Sequence, residues 1–399
     1  MSTIAKPVWR PLPNARKYIR ILELLPGQDD EVIRVRFQIK KLSGFWTRYN
    51  AISYTWGDDA VLHEIAVELD GHVEPTTIQI RENLWCCLQQ LRNKDEHRLL
   101  WADAICINQN DIDEKGQQVS IMGQIFHRAL GVFLWLGRVD DGSDYLFKDL
   151  GISHWKQLRD LDKTKLASAN TMVTAMMTAP YTRYWLRLWI VQEIVQARAI
   201  VVCYGSSMID WDLFVGLVRD SDVYRLYPYS KDIETFRACV RTRLRWNNSF
   251  MRGLGSHVGG RLSDFAESQC SDPRDSIYAL LAISTGPLRP GSLRIDYGIS
   301  LLELYCRVLE IAAPYPSNSY HYHSPEAKDL MRAFRLDTTE VNAYIKARGG
   351  LHLAAKRKYL LVTTQILPWL TGLYIAFPAW LMFHIFADED DPRRDTEGY

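Results

Sequence analysis

The spacing of hydrophobic and polar positions changes period along the chain. Residues 15–50 alternate with a period of two in "RKYIRILELLPG" and "EVIRVRFQIKKL", which predicts short strands around turns, an antiparallel lead-in. "YNAISYTWG" then reads as a buried strand, and "TTIQIRENLWCCLQQLRNK" places Ile80, Leu84, Leu88 and Leu91 at helical spacing. "RLLWADAICI" is a second apolar, strand-like run. It is followed by a helix, "DIDEKGQQVSIMGQIFHRA", with acids in its first turn and Val119, Met122, Ile125, Phe126 and Ala129 on one face. "LGVFLWLG" is a third strand. After a polar loop and a stretch over 144–180 read as helix and connector, "YTRYWLRLWIVQEIVQARAIVVCYG" predicts a helix and a fourth strand.

Alternating helices and near-continuous apolar strands predict an α/β fold, a mostly parallel open sheet with helices on both faces. Beyond Ser206 the pattern turns mainly helical, with "DPRDSIYALLAIS" a clear helix start. The expected organisation is a β lead-in over 1–44, an α/β domain over 45–205, a helical region over 206–335 and a tail over 336–399. Within the tail, residues 359–387 carry no formal charge, and a bilayer needs about 20 such residues. Lys356, Arg357 and Lys358 before the run and Asp388 to Asp391 after it would leave the N-terminal bulk in the cytoplasm if it spans. Pro368, Pro378, Gln365 and His384 fit instead a buried hairpin of two short helices, and both readings stay open.

Composition narrows the classes. A formal charge of +1 over 399 residues offers no general field for nucleic acid or a membrane surface. The 13 tryptophans suggest large flat side chains that fill cores and line clefts. Seven cysteines without a C-x-x-C pair, mostly within apolar runs, point to reduced, buried thiols and an intracellular chain, and no N-terminal apolar region reads as a signal peptide. Nucleotide-binding G-x-G-x-x-G and Walker A motifs are absent, as are G-x-S-x-G and H-E-x-x-H. His321 and His323 alternate without neighbouring Cys or acid ligands, so no metal site is expected.

Two constellations carry candidate chemistry. In open parallel sheets ligands bind beyond the carboxyl ends of the strands. Tyr54, Thr55, Trp56, Gly57 and Asp58 follow the first such strand, and Asp103, Asn108 and Gln109 follow the second. Trp56 can stack on a planar ring while Gly57 admits close backbone approach. The alternative is a plain turn, with Gly57 at positive φ and Asp58 capping the next segment. The second constellation is "WLRLWIVQEIVQA", in which Trp185, Trp189, Glu193 and Ala197 lie four apart on one helical stripe. No Lys or Arg stands three or four residues from Glu193, so the acid either meets a distant partner or is held for a purpose.

"AISYTWGD", "RENLWCCLQQLR", "LLWADAICINQNDIDEKGQQVSIMGQIFHRALGVFLWLG" and "RLWIVQEIVQA" together resemble the heterokaryon-incompatibility (HET) domain of filamentous fungi, from about Tyr49 to Gly205, and "DPRDSIYALLAIS" is similar to the segment that commonly follows it, with weaker likeness to about Ala312. The resemblance implies a cytoplasmic module that triggers cell death during non-self recognition. Strand and helix order, with W-I-V-Q-E, is also similar to TIR domains, which implies a TIR/flavodoxin-like sheet and, as in the enzymatic members, NAD cleavage. Carried over, the catalytic role falls on Glu193 with Trp189 beside it, and the "YTWGD" strand end lies beside the nucleotide. NAD is then a substrate, and no cofactor is expected. A non-catalytic signalling module that self-associates or recruits a partner incompatibility protein fits the same resemblance. Neither reading involves nucleic acid, and a membrane contact is expected only through 359–387.

Overall fold

The computed structural model describes residues 8–44, 47–69, 75–138, 173–174, 176–177, 183–248, 258–312 and 325–348, all within the compact unit Met1–Leu351. The apolar stretch 359–387, His321 and His323, and most of 144–180 lie outside the described residues. Among those described, no helix is long and apolar enough to cross a membrane.

Nine strands form a single sheet: β1 (Tyr18–Leu24), β2 (Arg34–Lys41), β3 (Asn50–Ser53), β4 (Leu62–Glu68), β5 (Thr76–Arg81), β6 (Arg98–Trp101), β7 (Val132–Trp135), β8 (Ile200–Tyr204) and β9 (Ser207–Asp210). Their order is β5-β4-β2-β1-β6-β3-β7-β8-β9. Four consecutive strands, β6, β3, β7 and β8, are mutually parallel. Counted from β3 in chain order their neighbours run 2-1-3-4, the order of a flavodoxin-like doubly wound sheet. The flanks are mixed: β1 pairs antiparallel with both β2 and β6, and β4 with β5, while β2 and β4 run parallel. β9 closes the other edge antiparallel to β8.

Burial explains the layering. β3, β7 and β8 are buried at nearly every position, as strands covered on both faces must be. β5 and β9 alternate buried with exposed residues and leave one face to solvent. The helices are α1 (Glu82–Leu91), α2 (Asp103–Cys106), α3 (Ile112–Arg128), α4 (Ile190–Gln196), α5 (Trp211–Asp220), α6 (Val223–Leu226), α7 (Lys231–Asn247), α8 (Val258–Asp264), α9 (Asp275–Leu281), α10 (Leu301–Ala312), α11 (Pro325–Phe334) and α12 (Thr338–Ala347). Asp111 caps α3 by accepting from the Glu114 amide, and Met122, Ile125 and Phe126 form its buried face. Arg243, on the basic α7, reaches across to donate to the carbonyls of Ile194 and Ala197 at the end of α4, both at 2.6 Å.

Three local expectations change. Residues 76–81 form a strand, with Ile78 and Ile80 buried and Thr77 and Gln79 exposed, so Ile80 belongs to a period-two pattern and the helix starts only at Glu82. The strand β4 adds to the expected elements, and it pairs with β2 and β5. The helix before β8 spans only Ile190–Gln196, with Tyr184–Leu186 a separate 3₁₀ turn. Trp185 therefore leaves the stripe and packs against Tyr184, Phe214 and Phe236.

One charge pair ties the lead-in to this framework. Arg20 on β1 is fully buried and meets Glu114 on α3 through two contacts of 2.5 and 2.7 Å, while Glu114 also accepts from the Asn108 amide at 2.8 Å. Replacing Glu114 by Ala leaves a buried guanidinium without its counter-charge, and we expect a loss of about 3–5 kcal/mol in urea unfolding. A loss below about 1 kcal/mol would show that the pair is solvated.

Candidate functional site

After β3 the chain builds β4 and β5 at the far edge, returns to build β6 on one side of β3, then crosses to build β7 on the other. β3 is thus the switch point of the parallel sheet, where two connections diverge and open a crevice at the strand's carboxyl end. A cleft of about 790 Å³ lies there. That size admits a ligand as large as a nucleotide.

Its first wall comes from the ends of β3 and β6. Thr55 is held by Asn83, which donates to its carbonyl at 2.6 Å and its hydroxyl at 2.9 Å and accepts from the Trp135 indole. Gly57 has φ +75°, the left-handed turn that glycine adopts freely, and the Asp58 carboxylate accepts from the Ala60 amide two residues on. Trp56 donates its indole N–H to Asp103 at 2.9 Å, and the guanidinium of Arg81 lies 5.6 Å from its ring centre. Gln109 donates to the Asp103 carbonyl at 2.9 Å.

The second wall comes from the segment before α4 and from far downstream. Arg187 pairs as an isolated bridge with Gln269, and Leu188 donates its amide to the Gln269 carbonyl at 2.9 Å. That zipper sets Cys270 to Asp275 across from the sheet. Trp189 donates to one Asp275 oxygen at 3.1 Å and Tyr297 to the other at 2.8 Å. Lys115 on α3 sits 5.3 Å from the Tyr297 ring centre.

Thr55, Trp56, Gly57, Asp103, Gln109 and Trp189 line this cleft together. The remaining four expected residues do not line it. Tyr54 is buried in the core, Asp58 closes its turn at the surface, and Asn108 accepts from the Asn110 amide on the way into α3. Glu193 is 3% exposed and accepts a hydrogen bond from Ser53, whose hydroxyl is 2.5 Å from that of Tyr184. Its distant partner is Arg187, 3.8 Å away, which does line the cleft and donates to the Tyr54 carbonyl. Arg187, Asp275 and Tyr297 are not marked by the sequence pattern as site residues. Arg187 stands six residues before Glu193, outside helical neighbour spacing, and the other two come from a separate helical region. In the sequence Asp275 is visible as a helix-opening acid within "DPRDSIYALLAIS", with no site role marked for it.

Burial drives the electrostatics. It pushes the Glu193 carboxyl up to about 7, with Arg187 and the Ser53 hydrogen bond opposing and Asp103 adding to the rise. Burial likewise lifts Asp275 to about 6 against the hydrogen bonds from Tyr297 and Trp189. The phenol of Tyr184 is raised well above its ordinary value, first by burial and then by Glu193. Six of the seven cysteines are buried free thiols, and Cys270 is half-buried at the cleft. Among the described residues no three His, Cys, Asp or Glu side chains gather to hold a metal ion.

Residues 49–193 match the family model for the heterokaryon incompatibility protein (HET). The matched span begins just before β3 and ends on Glu193. Over 103 residues the chain is 39% identical to Heterokaryon incompatibility protein 6, OR allele, of Neurospora crassa. That stretch is 24% of this chain and 15% of the relative, so the chain matches only a small part of the curated protein's length. No solved structure matches.

The raised Glu193 carboxyl has a stability consequence. Its folded value lies above the ordinary 4.5, so its contribution is full below about 4.5 and is lost as pH rises through about 7. The loss is on the order of 3 kcal/mol. Asp275 acts in the same direction at lower pH, so the difference between variants isolates Glu193. Urea unfolding between pH 5 and 8 should show a flatter profile for Glu193→Gln than for the wild type. Parallel profiles would mean that the carboxyl stays ionised throughout.

Proposed function

We propose, from the match of residues 49–193 to the HET family model, that the chain acts in fungal heterokaryon incompatibility as a cell-death effector in the cytoplasm, and that its cleft cleaves the N-glycosidic bond of NAD. The observation that carries the hydrolase reading is the make-up of the cleft at the β3 switch point. Trp56 and Trp189 offer flat apolar faces, Asp103 offers a hydroxyl acceptor, and Arg81, Arg183 and Arg187 offer guanidinium forks to one polyanion. A dinucleotide with aromatic rings, ribose hydroxyls and a pyrophosphate has complementary groups for each.

In this reading the nicotinamide ring leaves as a neutral amine, so the bond breaks without a general acid. The site has to hold the ribose, steady positive charge at its anomeric carbon and present water. Glu193 takes a positioning role, through the Arg187 guanidinium 3.8 Å from it. Arg187 in turn receives the pyrophosphate in a bidentate contact.

The enclosure of Glu193 favours a second reading, a non-catalytic module that signals by self-association or by recruiting a partner incompatibility protein. A carboxylate that does not line the cleft can serve packing alone. The purified chain incubated with NAD separates the two, with nicotinamide release followed by chromatography. The hydrolase reading expects turnover by the wild type and a KM at least about tenfold higher for Arg187→Ala, the cost of about 1.4 kcal/mol of binding. Absence of nicotinamide above the buffer control, together with death of hyphae expressing the same chain, would select the signalling module.

A further inference from the structure

Three acids in or against this core have a counter-charge, whereas Asp103 and Asp275, each held by an indole in the cleft, form no ion pair among the described residues. Glu114 meets Arg20, Glu193 meets Arg187, and Asp272 meets Arg274 at 2.8 Å. Asp275 differs. The residue is 8% exposed and lines the cleft, and among the described residues neither Lys nor Arg forms an ion pair with it. Its two oxygens take hydrogen bonds from neutral donors alone, the Tyr297 hydroxyl at 2.8 Å and the Trp189 indole at 3.1 Å. Each oxygen keeps a lone pair, and the two donors fix the plane of the carboxylate. A desolvated carboxylate held rigid in a cleft and in no ion pair is costly unless a ligand meets it.

The arrangement repeats across the cleft. Trp56 holds Asp103 as Trp189 holds Asp275, so each wall presents an indole bonded to an aspartate. The two acids differ in burial, since Asp103 is only half-buried. A base works best when its affinity for protons is matched to the working pH, and desolvation moves a carboxylate that way.

We infer that Asp275 is the carboxylate that meets the ligand in this cleft, and that in the hydrolysis proposed above it takes the proton of the attacking water. The catalytic role rests on that reading. The water oxygen bonds to the anomeric carbon of the ribose as the carbon–nitrogen bond breaks. The bonding pair passes to the ring nitrogen, neutral nicotinamide leaves, and the proton on Asp275 goes to solvent. Trp189 and Tyr297 are positioning residues, since each acts through the carboxylate it holds. The charged and titratable groups that face Asp275 are Tyr297, Asp272, Cys270 and Lys115, and burial raises its carboxyl to about 6 against the cation of Lys115.

The test uses the full chain, with Asp275→Asn and Tyr297→Phe checked for native thermal unfolding. The expected result is a fall in kcat of at least about 100-fold for Asp275→Asn, with KM changed only a few-fold. Wild-type kcat should decline below about pH 6, where the base is protonated. In Tyr297→Phe that decline should move to higher pH, because the lost hydrogen bond favoured the charged form. Wild-type rate and pH profile in Asp275→Asn overturn the inference while leaving the hydrolase reading intact. If the wild type itself releases no nicotinamide, the reading fails, and ADP-ribose binding followed by tryptophan fluorescence decides the ligand contact. Affinity at least about tenfold weaker in Asp275→Leu then supports the contact. Equal affinity, or no binding by the wild type, removes it.

Discussion

A parallel strand covered on both faces cannot carry a polar side chain in its middle without a partner, so the sheet confines its chemistry to the strand ends. β3 shows the constraint most sharply. Ala51 and Ile52 are buried apolar residues, and Ser53, the first polar one past them, is buried against Glu193 and Tyr184. Everything after it, from the Tyr54 carbonyl to Gly57, is free to turn outward because β3 ends there. Its neighbours β6 and β7 are reached in opposite directions, which keeps helices from closing over that end.

Charge burial follows the same logic, and the partners distinguish the acids. Glu114 and Arg20 have complete partners, so their pairing serves architecture by locking β1 onto α3. The Glu193–Arg187 contact is looser at 3.8 Å and carries a carboxyl lifted to about 7, which means that burial outweighs the cation. Such a group holds its charge only weakly near neutrality. Asp275 has no ion-paired cation, and hydrogen bonds from neutral donors soften its desolvation but do not cancel it. What separates the three buried acids is the partner each receives.

The cleft also crosses the limits of the matched family segment. That segment supplies Trp56, Asp103, Arg187 and Trp189, but ends at Glu193. Asp275 and Tyr297 lie beyond it, brought in by the pairing of Leu188 and Arg187 with Gln269. A segment that is recognisable by itself is therefore an open half of this site. The helical region after β9 provides the other half, and the two indole–aspartate pairs face the same space only because both are present.

Periodicity alone determined much of the framework. Apolar runs separated by amphipathic helices determined β3, β6, β7 and β8 and the parallel core, and the turn residues marked Trp56, Gly57 and Asp103 as strand-end groups. Local pattern carries such information because strand and helix periods act over a few neighbours. It misassigned Ile80, whose place in β5 depends on pairing with β4, and it drew Trp185 into a stripe that a 3₁₀ turn interrupts. Tertiary structure decided the rest. The pairing of Glu193 with Arg187, its absence from the cleft lining and the arrival of Asp275 opposite Asp103 depend on contacts between residues 6 to 140 positions apart in sequence. No period spans such distances, because they are set by how layers pack and not by how one element repeats.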